Sequence, residues 1–139
     1  MLDINFIREH LDEVKANCRN RNAQAGVDGV IRLDDERKRL VQDAQTLQQR
    51  ANEVAKQTGK EKDPAKKQAL IEEGRKLREQ VAAVEAQRKQ AEEQRDRLLR
   101  LIPNMSHPDA PVGTTAADNK VIKRWGEPRK FDFKPKDHV

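Results

Sequence analysis

A chain of 139 residues has room for one domain. Only 35% of it is hydrophobic and 3% aromatic, against 38% charged, which excludes a conventional layered core of large apolar side chains and leaves a long helical structure or disorder. The net charge of +5 suits a nucleic-acid or anionic-membrane partner, and suits as well a solvated helix surface whose signs do not cancel.

The opening Met1-Leu2-Asp3-Ile4-Asn5-Phe6 carries acid and polar residues where a secretion signal needs a basic start and an unbroken apolar run. No stretch approaches the apolar length of a membrane span. The single cysteine, Cys18, rules out an intramolecular disulfide and fits a reducing compartment. The expected location is the cytoplasm.

From Asp3 to Asn20, residues Ile4, Ile7, Leu11, Val14 and Cys18 recur at spacings of three and four, one face of an amphipathic helix. Cys18 lies on that face and reads as a small buried hydrophobe. Gly26 and Gly29 flank Val27-Asp28 in a turn signal, with Asp28 placed to cap the helix that follows. That second helix is expected from about Gly29 to Thr58. Its Leu33, Leu40, Leu47 and Val54 stand seven apart, with Arg37, Ala44 and Ala51 interleaved, a heptad stripe that needs a partner.

Gly59 reads as a C-cap, and Asp63-Pro64 as an N-cap with proline at the first helical position. A stop and a start this close predict a helical hairpin. The third helix, from Pro64 to about Leu101, repeats Leu70, Leu77, Val84, Ala91 and Leu98 seven apart. Gly74, Arg88 and Arg95 fall among its interleaved positions, so the seam is thin. Beyond Pro103 the prolines and glycines predict an extended path. Residues 120–125 and 131–133 read as short strands. Trp125, Phe131 and Phe133 are expected to pack against the base of the hairpin or a further domain. The chain stops at Asp137-His138-Val139 with no closing element, the pattern of a cut before another domain.

No catalytic constellation stands out. His10, His107 and His138 lie on separate segments without a second ligand at metal spacing, and no glycine-rich loop follows a strand. The hairpin has no Phe, Trp or Tyr, so it has no aromatic platform for single-stranded bases. A nucleic acid bound here would be met through phosphates, sugars and helix shape, the way A-form RNA is read. Candidate phosphate contacts cluster near the turn: Arg50, Lys56, Lys60, Lys62, Lys66, Lys67, Arg75 and Arg78. The alternative for each is a solvated surface cation.

The segment after the hairpin reads Ile102-Pro103-Asn104, His107-Pro108-Asp109, Pro111-Val112-Gly113, Asp118-Asn119, Arg124-Trp125-Gly126-Glu127-Pro128-Arg129, Phe131-Asp132-Phe133 and Asp137-His138-Val139. In order and spacing these blocks closely resemble the linker between the N-terminal arm and the class II catalytic domain of seryl-tRNA synthetases. Met1-Leu2-Asp3 and Ile7-Arg8-Glu9 resemble that family's start. The chain departs from it at His10-Leu11, where Asn-Pro is usual between two short helices, and at Met105-Ser106, where Leu-Pro is usual.

The resemblance implies an arm that grips the long variable arm of serine tRNA through backbone and shape. It implies a homodimeric parent enzyme that activates serine with ATP and magnesium in a domain beyond Val139. This chain would then hold no cofactor, metal site or catalytic residue and would be inactive alone. The expected architecture is all-α: a helical segment over residues 1–27, an antiparallel two-helix coiled-coil hairpin over 28–102 that turns near 58–64, and an extended linker over 103–139. The competing reading is a coiled-coil spacer or dimerisation module with incidental basic charge.

Overall fold

The computed structural model describes residues 1–136, so the terminal Asp137-His138-Val139 block lies outside the described residues. Four α-helices follow in order: α1 (Ile4–Glu9), α2 (Leu11–Asn20), α3 (Val27–Lys60) and α4 (Pro64–Leu101), and then a 3-10 turn at Ala116–Asp118. No strand occurs among the described residues. Helices α3 and α4 pack along each other as the hairpin, with α1 and α2 at its open end. At 1.5 Å per residue the 38-residue α4 extends roughly 57 Å.

The Asp3 side chain accepts from the Asn5 and Phe6 amides at 2.8 and 3.3 Å and starts α1. The single amphipathic helix expected over Asp3–Asn20 is instead two, kinked at His10 (φ −120°, ψ 38°). The backbone ladder nearly survives the kink, since the His10 amide still donates to Phe6 and the Val14 amide to His10. Ile7 of α1 and Val14 of α2 are both fully buried.

Helix α3 begins two residues before the expected start, with Gly26 and not Asp28 at its cap. Val27 is buried in the base, so it belongs to the packed helix, and Asp28 sits in the first turn paired with Lys15 at 2.6 Å. Gly29 marks a close approach: a Cβ there would lie 3.0 Å from the Leu98 side chain across the helix pair. At the other end α3 runs through Gly59 to Lys60, and Glu61 takes the cap, its amide donating to the Gln57 carbonyl. The connection is therefore only Glu61-Lys62-Asp63. The Glu61 carboxylate accepts from the Lys62 and Asp63 amides, and Asp63 accepts from those of Ala65 and Lys66, with Pro64 at the first helical position. Asp63→Ala removes that cap and should cost about 1 kcal/mol of stability, focused on the turn. Faster amide exchange in the first turn of α4, measured by NMR, would show it.

Two apolar clusters hold the molecule. At the base, Ile7, Val14, Cys18, Val27, Val30, Leu99 and Ile102 form the larger. Burial pushes the Cys18 thiol up, in keeping with an inert packing role. Along the arm, Ala51, Val54 and Leu77 form the smaller, flanked by Leu47 and Leu70. Leu99 replaces the expected Leu98 as the buried residue of α4 at the base. There α4 also meets α1 and α2, and a straight helix has drifted off a strict seven-residue repeat by its tenth turn.

The arginine gap in the seam has a partner. Arg95 donates to Asp34 of α3 at 3.3 Å, and the same carboxylate receives Arg8 of α1 at 2.8 Å, Arg37 at 3.3 Å and Lys38 at 3.1 Å. Asp34 is only 1% exposed. Burial alone would raise its pKa, but hydrogen bonds from Arg8 and Lys38 and the Lys38 charge outweigh it and hold the carboxyl well below the usual range.

Past Ile102 the chain is tied to α2 for a few residues. Buried Asn17 donates to the Asn104 carbonyl at 3.2 Å and accepts from the Ser106 amide at 3.0 Å, and Arg21 donates to the same carbonyl. Everything from residue 107 to 136 is exposed. The expected strands at 120–125 and 131–133 do not form, since no neighbouring strand offers its backbone groups. Trp125 is 92% exposed, and Phe131 and Phe133, both exposed, pack against each other.

Candidate nucleic-acid interface

All eight sequence-nominated cations are exposed and lie at the closed end of the hairpin. Residues 50–78 carry nine Lys and Arg against five Asp and Glu. The helices of the base and lower arm, residues 1–49 and 79–102, carry thirteen against fourteen. The excess positive charge of the helical part thus sits at the far end of a rigid lever. The Asp63 cap and the short turn place Lys60, Lys62, Lys66 and Lys67 within a few residues of one another at the tip.

The structure does not put the eight on one face. Arg50 reaches across to Glu73 of α4 at 2.8 Å, an exposed interhelical ion pair. Lys60 and Lys66 border a shallow depression at the turn with Gln57, Glu61, Ala69 and Leu70. Arg75 and Arg78 border a second groove, lined also by Ala51, Val54, Ala55, Leu70, Ile71 and Gly74. Arg75 makes an exposed pair with Glu79 at 3.1 Å along its own helix. Lys56, Lys60, Lys62, Lys66, Lys67 and Arg78 form no ion pair among the described residues. Exposed pairs such as Arg75–Glu79 are worth little in water and exchange readily for a phosphate.

Lys76 is not among the eight: helical spacing sets it beside Glu72 and Glu73, as a solvated ion pair, and away from Arg75 and Arg78. Sequence reading missed Asp34 altogether, because an acid within Asp34-Asp35-Glu36 of a charged helix carries no signal of burial.

Among the described residues no three His, Cys, Asp or Glu side chains converge as a cation site. No helix there is long and apolar enough to cross a membrane. The chemistry available at the tip is that of fixed positive charge on a stiff support, without aromatic planes and without acid–base machinery.

Known proteins share this sequence and shape. The family model of the seryl-tRNA synthetase N-terminal domain matches residues 1–106. A serine–tRNA ligase of Rubrobacter xylanophilus is 43% identical over 139 residues, all of this chain and 33% of the relative. The serine–tRNA ligase of Treponema denticola is 41% identical over the same span, again 33% of its length. Among solved structures, seryl-tRNA synthetase from Pyrococcus horikoshii complexed with ATP superposes with a TM-score of 0.77 at 29% identity, covering 91% of this chain and 29% of that one. The chain thus spans about a third of the length of the curated relatives it matches. With a helical hairpin of the same shape, and a match that runs from its first residue through the tie between Asn17 and Ser106, the chain belongs to the seryl-tRNA synthetase N-terminal domain family.

Proposed function

We propose that the hairpin is a tRNA-binding arm that grips the long variable arm of serine tRNA through backbone and shape contacts, so that a catalytic domain can attach serine. The observation that carries this reading is the concentration of charge: nine cations against five carboxylates at the tip of a hairpin with no aromatic side chain. Such a surface suits the phosphates and sugars of an RNA helix and offers no aromatic ring on which to stack a base. Arg50, Lys56, Lys60, Lys62, Lys66, Lys67, Arg75 and Arg78 are the proposed contacts.

In this reading residues 1–27 steady the base, 28–102 form the arm and 103–139 lead to the catalytic domain. ATP and magnesium belong to that domain, which pairs the enzyme as a homodimer in the cytoplasm, and these 139 residues alone do not aminoacylate.

The test is a titration of the chain with serine tRNA, and with the same tRNA lacking its variable arm, at several salt concentrations. The intact tRNA should bind more tightly. If about five phosphates are neutralised, the logarithm of its binding constant should fall with that of salt at a slope of about −4. Equal binding of the two would leave only charge attraction and favour the spacer reading, as would concentration-dependent mass without RNA affinity.

A further inference from the structure

The two sides of the arm tip differ in chemistry. On α4, Lys67, Ile71, Gly74, Arg75 and Arg78 are spaced four, three, one and three residues apart, which places them on one side of the helix. Ile71 is 48% exposed there, an apolar side chain that finds no partner within the hairpin core. It lines a groove together with the small Ala51, Ala55 and Gly74 and the larger Val54, Thr58 and Leu70. Arg75 and Arg78 rise along its edge, and Lys67 stands one turn towards the tip.

The other side is built differently. Arg50 is tied to Glu73, and Lys76 falls by helical spacing with Glu72 and Glu73, so cation and carboxylate alternate.

We infer that RNA lies on the Ile71–Gly74–Arg78 side of the arm, with the ribose–phosphate edge of an A-form helix seated in the groove over Gly74. This rests on the tRNA-binding reading and adds to it the face that is used. An A-form helix presents a wide, shallow minor groove edged by phosphates and 2′-hydroxyls. A protein surface meets it closely only where side chains are short, and Ala51, Ala55 and Gly74 supply that. Guanidinium groups at the rim match phosphate oxygens two at a time. Ile71 covers ribose carbons, exchanging its water for apolar contact. On this side Arg75 alone has a carboxylate beside it, Glu79 along its own helix, while Lys67 and Arg78 have none among the described residues; on the opposite side Arg50 is held by Glu73, and Glu72 and Glu73 flank Lys76, so a phosphate brought there meets two carboxylates.

The test compares three variants of the 139-residue chain in the same tRNA titration, with helix content followed by circular dichroism. Arg75→Ala with Arg78→Ala should weaken binding of serine tRNA about tenfold or more and reduce the salt slope by about 2, one for each phosphate left without its arginine. Lys76→Ala, one cation on the other side, should change affinity less than about twofold. Gly74→Gln fills the groove without changing charge. Its Cβ would lie at an ordinary 3.7 Å from the Val54 side chain, and glutamine is the better helix former, so the fold persists. It should weaken binding about fivefold and leave the salt slope unchanged, because steric exclusion takes away no cation.

If Lys76→Ala costs as much as the double variant while Gly74→Gln costs nothing, the face is wrong. The tRNA reading then still stands, provided the wild-type chain prefers the intact tRNA. If the wild-type chain binds both tRNAs alike, or neither, that reading fails and the inference falls with it.

Discussion

Asp34→Ala is expected to cost about 2 to 4 kcal/mol of stability, somewhat less than the roughly 3 to 5 typical of breaking a buried ion pair, because the cations left behind are partly solvated. The wild-type carboxylate holds four of them, from α1, α3 and α4, and is itself almost wholly buried. Its removal strands Arg8 and Arg95 at the junction of three helices. Neighbouring Asp35 also accepts from Arg8, and Asp96 pairs with Arg95 at 2.8 Å, so neither guanidinium is left wholly bare. Asp34→Asn keeps the volume and isolates the charge, and should cost nearly as much. Thermal melts followed by helix signal measure both, and a loss below about 0.5 kcal/mol for either would show that the cluster contributes no more than a surface network.

The same carboxylate predicts a pH dependence. Its pKa is lowered in the folded chain relative to an unfolded value of about 3.9, so the folded state favours the ionised form. The stabilisation is therefore fully present above the unfolded pKa and is lost as pH falls from about 4 towards the folded value. The melting temperature of the wild-type chain should drop through that acid window. Asp34→Asn should drop less, and the difference between the two curves should close as pH falls.

The second large effect is expected at Leu77. It is the largest buried side chain of the small cluster that joins the outer halves of α3 and α4, where its partners are Val54 and Ala51. Leu77→Ala should cost about 2 to 4 kcal/mol, since neighbouring Gly74 and Ala51 offer little with which to fill the space. The loss should be local. The base rests on a separate set of residues, among them Ile7, Val14 and Val30, none of which belongs to Leu77's cluster. Amide exchange should quicken from about residue 47 to 80 while the base keeps its protection. Uniform acceleration along the whole chain would instead show that arm and base unfold as one unit.

The hairpin itself was legible because it is written in local, periodic terms. Leu33, Leu40, Ala44, Ala51, Val54, Leu77 and Ala91 follow from heptad spacing and are buried. Asp63-Pro64 marked the start of α4 because a cap and a fixed φ act within one turn. The cap errors at Asp28 and Gly59 are displacements of two residues at most, where burial of Val27 and the good geometry of the last turn extended α3 beyond its nominal signals. The eight cations were legible as a group near the turn, but not their sorting: the Arg50–Glu73 pair joins residues 23 apart in the chain.

From its own residues and nearest neighbours, then, this sequence determined that it is helical, where it reverses and which stripe it buries, since a period of 3.6 residues and a capped turn need no distant partner. Tertiary structure alone decided that Asp34 is buried, because its ligands Arg8 and Arg95 lie 26 and 61 residues away in the chain. It alone decided that residues 120–125 and 131–133 are not strands, since a strand exists only when a neighbour completes its hydrogen bonds. It also decided that Arg50 is paired, because Glu73 reaches it only across the seam between the two helices.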